Sequence, residues 1–136
     1  MERVLDRLWI GSTEDFRAPL GVLGFVGVLD LRDGMAEGVW PGVFTHRVDQ
    51  RDGDPWCPKQ VIDALDFVVT HIQRGKVLIA CAAGMSRSAC MTIGYLMRMG
   101  FSVAEAFELV RAARPIIQPV PKMLESVLAV LPKGAL

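Results

Sequence analysis

Residues 76–99, KVLIACAAGMSRSACMTIGYLMRM, contain a short polar loop between two apolar segments. The first segment, Val77–Ala80, has no polar face, which is typical of a strand buried on both sides of a sheet. The second segment, Ser88–Met99, is almost entirely apolar and is followed by Gly100, so it is predicted to be a buried helix. A strand, a tight loop and a helix in this order indicate an α/β fold.

The loop at residues 81–88 has the residue types and spacing of an anion-binding cup. Five residues separate Cys81 from Arg87, so the loop can curl until its backbone N–H groups converge at the N-terminus of the following helix, where the helix dipole also favours an anion. Glycine at position 84 supplies backbone freedom for the curl. The predicted phosphate-binding residues are Ala82, Ala83, Gly84, Met85, Ser86 and Arg87.

Three side chains of the loop suggest covalent phosphate chemistry. The Arg87 guanidinium can bind two phosphate oxygens at once and stabilise charge in the transition state. Arg87 and the loop N–H groups are expected to stabilise the Cys81 thiolate, which can then attack phosphorus in line and form a phosphocysteine. Ser88 can donate a hydrogen bond to the sulfur when it leaves in the hydrolysis step. The sequence therefore predicts a phosphate monoester hydrolase.

The rest of the chain alternates between short apolar strands and amphipathic helices. Apolar residues recur at helical spacing between Lys59 and Arg74, for example, and Gly75 ends that helix. With neither a linker nor an internal repeat, residues 1–136 are expected to form a single domain. Strands are predicted over 4–10, 25–31, 44–48 and 77–80, and helices over 59–74, 88–99, 103–113 and 121–131, with a short helix capped by Ser12 and a loop over 35–42.

Composition excludes several classes of protein. The 136 residues carry a net charge of zero, so the basic excess of a nucleic-acid-binding protein is missing. Uncharged stretches such as Val77–Ser86 and Ser88–Met97 are far shorter than the ~18–20 apolar residues that span a bilayer. The cysteines are too few and too scattered for a disulfide framework or a metal site. We therefore expect a cytoplasmic monomer without cofactor or metal, which binds neither nucleic acid nor membrane.

Four stretches outside the loop resemble those of a known family. They are Arg7–Ser12, Val26–Asp33, Ala112–Pro115 and Ile117–Pro119, and with the loop they resemble the dual-specificity group of the cysteine-dependent protein tyrosine phosphatases. The resemblance implies a twisted four- or five-stranded sheet with helices on both faces, and metal-free hydrolysis of phosphate monoesters at a shallow site.

Members of this group use an upstream aspartate as the general acid that protonates the leaving oxygen. Asp49, Asp52 and Asp54 are the candidates in this chain. Asp52 is favoured because it follows the predicted strand 44–48 and stands in an Asp-Gly-x-Pro context that resembles the group's acid loop. Asp54 remains the alternative.

The chain departs from the group's pattern at two positions. Ala80 stands where the group has a histidine that orients the loop, which puts the efficiency of the reaction in doubt. Val120 stands where the group often has asparagine. Cys57 lies near the proposed acid loop, and oxidation could join it to Cys81 as a disulfide.

Three functions compete on these grounds. The leading one is a phosphatase for phosphotyrosine, phosphothreonine or phosphoserine in proteins. The second is a phosphatase for a phosphoinositide, a nucleotide or an RNA 5′ phosphate, which the absence of lysine between Cys81 and Arg87 argues against. The third is a binding module for phosphorylated residues that has lost turnover; Ala80 favours it slightly, and the intact Cys81 and Arg87 argue against it.

Overall fold

The computed structural model describes residues 1–34 and 40–131. These residues form a sheet, a short 3₁₀-helix over Thr13–Arg17 and α-helices. The strands are β1 (Glu2–Leu5), β2 (Leu8–Gly11), β3 (Phe25–Asp30), β4 (Phe44–Arg47) and β5 (Lys76–Ala80). The helices are α1 (Pro58–Ile72), α2 (Arg87–Arg98), α3 (Val103–Ala113) and α4 (Pro121–Leu128).

Within the described residues the sheet has five strands in the order β1-β2-β5-β3-β4. β5 lies at its centre, and β2, β5, β3 and β4 are parallel to one another, whereas β1 pairs antiparallel with β2 at one edge. The carboxyl ends of the parallel strands therefore meet at one edge of the sheet. In open α/β sheets this edge is where ligands bind.

Two hydrophobic clusters cover the two faces of the sheet, and alternate residues of β5 enter each. Val77 and Ile79 lie in the larger cluster with buried residues of α1, α2, α3 and α4, whereas Leu78 and Ala80 lie in the smaller cluster with Phe16 of the 3₁₀-helix. This double burial explains why β5 has no polar face. The predicted α/β fold is confirmed, with the α-helices on one face and the 3₁₀-helix on the other.

One predicted strand is wrong in its extent. The segment 4–10 was expected to be continuous, but it divides into β1 and β2 at Asp6-Arg7. Asp6 has a φ of 38°, which a short polar side chain tolerates in a tight hairpin turn. Arg7 holds the turn in place, since its Nη1 donates to the carbonyl oxygens of Ile72 and Gln73 at 3.0 and 2.8 Å.

The remaining boundaries lie close to the predictions. The short helix after Ser12 is confirmed as a 3₁₀-helix, with the Ser12 N–H donating to Asp15 Oδ2 at 2.8 Å. Most of the loop predicted over 35–42 lies outside the described residues. Among the residues that the structure describes, no helix is both long and apolar enough to cross a bilayer.

Candidate active site at the carboxyl edge of the sheet

The residues of the candidate site follow the carboxyl ends of three parallel strands. Cys81 comes directly after β5, Asp33 follows β3, and Asp52 follows β4. Because these strands are neighbours in the sheet, their following loops converge, although they lie far apart in the sequence. The edge thus collects a thiol, a guanidinium and carboxyl groups within one small region.

Gly84 shapes the loop between β5 and α2. Its φ is +69°, and a Cβ at this position would lie 2.7 Å from the Gly11 carbonyl oxygen and 2.7 Å from Arg114 Nη2. A side chain is therefore excluded by both conformation and contact. Arg114 at the end of α3 holds the same turn, because its Nε donates to the Gly84 carbonyl oxygen at 2.7 Å and its Nη2 to that of Ala83 at 3.1 Å.

Neighbouring segments hold the other carbonyl groups of the loop. The Thr13 N–H donates to the Ala82 carbonyl oxygen at 3.0 Å, and the Gln118 N–H donates to that of Met85 at 2.7 Å. Ser86 is buried, and its Oγ accepts a hydrogen bond from the Val120 N–H at 3.0 Å. These contacts fix the curl of the loop from outside.

The Cys81 side chain is buried and faces Ser88. Cys81 is 2% exposed, and its Sγ accepts a hydrogen bond from the Ser88 N–H at 3.4 Å. Ser88 Oγ lies 3.3 Å from the same sulfur. The Ser88 N–H belongs to the first turn of α2, so the helix dipole acts on the sulfur. Cys81 and Ser88 thus meet at the start of α2.

The two nitrogens Nη1 and Nε of Arg87, the first residue of α2, differ in their hydrogen bonding. Its Nη1 donates to the carbonyl oxygens of Leu31 and Gln50, at 3.2 and 2.9 Å, and to Asp33 Oδ1 at 3.1 Å. Its Nε is buried and has no hydrogen-bond partner within the described part of the chain. A buried, unpaired guanidinium N–H is costly, and a phosphate oxygen is a natural partner for it.

Asp33 is a site residue that the sequence analysis did not identify. It contacts the guanidinium of Arg87, which lies 54 positions later in the chain. The hydrogen bond from Arg87 holds the pKa of the Asp33 carboxyl group below its usual range. Asp33 therefore stays ionised at neutral pH, and this ion pair is lost only as the pH falls through that lowered pKa.

The structure separates the three candidate acids. A cavity of about 170 Å³ is lined by both Cys81 and Arg87, and Asp52 lines it as well. Asp52 Oδ1 lies 3.9 Å from Arg87 Nε. Asp54 pairs instead with Arg51 at 3.5 Å, and Asp49 accepts a hydrogen bond from the Gly34 N–H at 3.0 Å. The remaining lining residues are Ala83, Met85, Ser86, Gln118 and Val120.

The other cysteines lie in different surroundings from Cys81. Cys57 is an exposed free thiol at the N-cap of α1, and its proposed disulfide with Cys81 stays a prediction. Cys90 is fully buried in α2, and burial raises the pKa of its thiol to about 12. It therefore remains protonated at neutral pH, as expected for a core cysteine.

Ala80 occupies the position before Cys81, and its side chain has no polar group. It is fully buried in the smaller hydrophobic cluster, and its carbonyl oxygen accepts a hydrogen bond from the Leu31 N–H at 2.9 Å. The loop keeps its curl without the histidine, because the contacts from Arg114, Thr13 and Gln118 support it.

Solved structures with this fold include dual specificity phosphatases. The crystal structure of human DUSP28 superposes with a TM-score of 0.87 at 27% sequence identity, covering 96% of this chain and 94% of that one. A mouse putative dual specificity phosphatase, crystallised with zinc tungstate, also has a TM-score of 0.87, at 26% identity, with 96% of this chain and 85% of the other covered.

The curated relatives that the chain resembles are also described as phosphatases. Over 115 residues, 80% of this chain, it is 35% identical to the MAP kinase phosphatase with leucine-rich repeats protein 3 of Dictyostelium discoideum, and the match covers 13% of that protein. Over 72 residues, 48% of this chain, it is 42% identical to human dual specificity protein phosphatase 16, covering 11% of it. The chain thus spans about a tenth of the length of these relatives.

The profile of the dual specificity phosphatase catalytic domain matches residues 57–130, more than half of the chain. This range contains the whole loop from Cys81 to Arg87 and the helices that support it. By sequence profile, curated relatives and fold, the chain belongs to the dual specificity phosphatase family of the cysteine-dependent protein tyrosine phosphatases.

Proposed function

We propose that this chain hydrolyses phosphate monoesters on tyrosine, serine or threonine side chains of proteins, through a phosphocysteine intermediate. One observation carries the proposal: the buried Arg87 guanidinium has an unpaired Nε and lines the same cavity as Cys81. A phosphate bound there can accept hydrogen bonds from Arg87 while its phosphorus faces the sulfur. Tungstate, a tetrahedral oxyanion like phosphate, is the ligand named for the related mouse structure.

In the first step the Cys81 thiolate attacks phosphorus on the side opposite the ester oxygen. The S–P bond forms as the P–O bond to the leaving group breaks, and protonated Asp52 donates its proton to the departing oxygen. Arg87 stabilises the equatorial oxygens as charge develops on them. The product alcohol or phenol leaves, and Asp52 becomes a carboxylate.

In the second step a water molecule attacks the phosphocysteine. The Asp52 carboxylate accepts a proton from this water, the new P–O bond forms, and the S–P bond breaks. The electron pair returns to Cys81, where hydrogen bonds from the Ser88 N–H and hydroxyl stabilise the thiolate. Inorganic phosphate is released and the starting protonation states are restored.

The charges around the cavity support a protein substrate over a polyanionic one. Asp52, which lines the cavity, and Asp33, which contacts Arg87, are about half exposed, at 54% and 49%. The loop residues between Cys81 and Arg87 include no lysine. A phosphoinositide or nucleotide would bring further negative charge close to these carboxylates, whereas a singly phosphorylated side chain would not.

The cellular context in this proposal rests on sequence composition. The net charge of zero gives no field that would attract nucleic acid. The free cysteines suit a reducing compartment. We therefore propose a cytoplasmic enzyme that acts as a monomer on phosphorylated proteins.

The activity is tested by hydrolysis of an aryl phosphate in the presence of EDTA. We expect turnover that EDTA does not reduce. A panel of phosphopeptides, phosphoinositides and nucleotides then tests the substrate class. A preference for inositol phosphates or nucleotides would contradict the protein assignment, and complete inactivity towards the whole panel would contradict hydrolysis altogether.

Replacing Asp52 by asparagine should remove the general acid. The expected loss in kcat/KM is about a hundredfold for a substrate with a poor leaving group and much smaller for a dinitrophenyl ester, because a stable anion leaves without a proton. Asp54→Asn is the matched control; if it reproduces these changes instead, the assignment is wrong.

A further inference from the structure

Helix α4 forms hydrogen bonds to the segment that carries Asp52, which we call the Asp52 loop (residues 49–56). The Gly53 N–H donates to Met123 Sδ at 3.2 Å, and the Trp56 N–H donates to Ser126 Oγ at 3.1 Å. Ser126 Oγ in turn donates to the Met123 carbonyl oxygen at 2.6 Å. Because the Ser126 hydroxyl proton is used in this bond, Oγ accepts the hydrogen bond from the Trp56 N–H with a lone pair.

The same part of the chain also holds the phosphate-binding loop. The Val120 N–H donates to Ser86 Oγ at 3.0 Å, and Ser86 Oγ lies 4.0 Å from Met123 Sδ. Met123 is fully buried, so its sulfur sits between the two loops with little freedom to move. One short helix thereby sets the distance between the cup around Cys81 and the Asp52 loop.

The Asp52 side chain needs such support because little else fixes it. It is 54% exposed, and its carboxylate lies 3.9 Å from Arg87 Nε, too far for a strong hydrogen bond. The start of the loop is tied down by the Gln50 carbonyl oxygen, which accepts from Arg87 at 2.9 Å. Without α4 the part of the loop that follows Asp52 would lose the hydrogen bonds of the Gly53 and Trp56 N–H groups. It would keep those from Gln50 Nε2 to the Asp54 and Pro55 carbonyl oxygens, at 3.0 and 2.6 Å.

We infer that Met123 and Ser126 are positioning residues that hold the Asp52 carboxyl group over the leaving oxygen. The inference rests on the proposed function, since it gives these residues a role only if Asp52 is the general acid. A displacement of about 1 Å at a catalytic group can reduce the rate by about a hundredfold. Loss of one of the two hydrogen bonds, to Met123 or to Ser126, should reduce the rate less, by about tenfold.

The test compares Ser126→Ala with Ser126→Thr, which keeps the hydroxyl, and with Glu125→Gln, an exposed change on the same helix. Met123→Leu is a second variant that keeps the volume and removes the sulfur acceptor. With phenyl phosphate we expect Ser126→Ala and Met123→Leu to lower kcat/KM about tenfold, whereas dinitrophenyl phosphate should change less than about twofold. Ser126→Thr and Glu125→Gln should match the wild type on both substrates.

Two results would overturn the inference. An equal loss on both substrates would indicate a merely structural role, and so would a full additional loss when Ser126→Ala is combined with Asp52→Asn. A positioning residue should have almost no effect once the acid is absent.

Amide hydrogen exchange separates this inference from the proposed function. The Ser126→Ala change should accelerate exchange of the Trp56 amide about tenfold, and the Glu125→Gln control should not. If the wild-type protein hydrolysed neither ester, the proposed function would fail, and this measurement would still decide whether α4 holds the loop. Unchanged exchange at Trp56 would overturn the inference by itself.

Discussion

Replacing Cys81 by serine should abolish turnover and leave phosphate binding intact. A serine hydroxyl at this position is slightly smaller than the thiol and is not ionised at neutral pH, so the nucleophile is lost while the loop keeps its shape. We expect kcat to fall at least about a thousandfold. The dissociation constant for inorganic phosphate, measured by calorimetry, should change little, because Arg87 and the loop N–H groups supply the binding.

Cys57→Ser is the matched control, since Cys57 is an exposed free thiol. It should retain full activity. A Cys81→Ser protein that kept more than about 1% of the wild-type rate would contradict a covalent mechanism. An unchanged rate would mean that water attacks the substrate directly.

Replacing Arg87 by lysine should be almost as damaging, although the positive charge is kept. Lysine cannot present two parallel N–H groups to phosphate. It also cannot reproduce the contacts of Nη1 with Leu31, Gln50 and Asp33. Loss of a single donor to a transition-state oxyanion costs about a hundredfold to a thousandfold in kcat. We expect a loss of about a thousandfold in kcat together with weaker phosphate binding.

Arg98→Lys provides a control on the same helix. Arg98 is the last residue of α2 and lies at the end of the helix away from the phosphate-binding loop. Its Nη1 lies 2.6 Å from Asp66 Oδ1. Steady-state kinetics should find this variant within about twofold of the wild type. If Arg87→Lys lost less than about tenfold, the bidentate role of Arg87 would be wrong.

The part of the site that the sequence predicted is the part formed by neighbours in the chain. The spacing from Cys81 to Ser88 predicted both the curl of the loop and the proximity of these two residues, because a strand, a turn and a helix follow one another without interruption. The burial of β5 on both faces could also be predicted, because the apolar pattern lies within consecutive residues. Local sequence therefore sufficed to place Cys81 and Arg87 in one loop.

The contacts that were missed join segments far apart in the sequence. Asp33 reaches Arg87 because β3 and β5 are adjacent in the sheet, and no spacing rule in the sequence records that adjacency. Arg114 binds the Gly84 carbonyl oxygen across 30 positions. Ser126 binds the Trp56 N–H across 70 positions. Strand order and helix packing had to be known before these roles could be assigned.

The break between β1 and β2 was missed for a different reason. The alternation of apolar residues continues through the segment, so periodicity favoured a single strand. The turn depends on Asp6 adopting a positive φ and on Arg7 binding the carbonyl groups at the end of α1. The second of these is again a contact between distant parts of the chain.

Trapping the covalent intermediate tests the central claim most directly. The Asp52→Asn protein should form the intermediate from dinitrophenyl phosphate and hydrolyse it slowly, because the group that activates water is absent. Rapid acid quenching and mass spectrometry should then find one phosphoryl group on the peptide that contains Cys81, localised to its sulfur by fragmentation. Consumption of substrate with the phosphoryl group on another residue, or on none, would contradict the account.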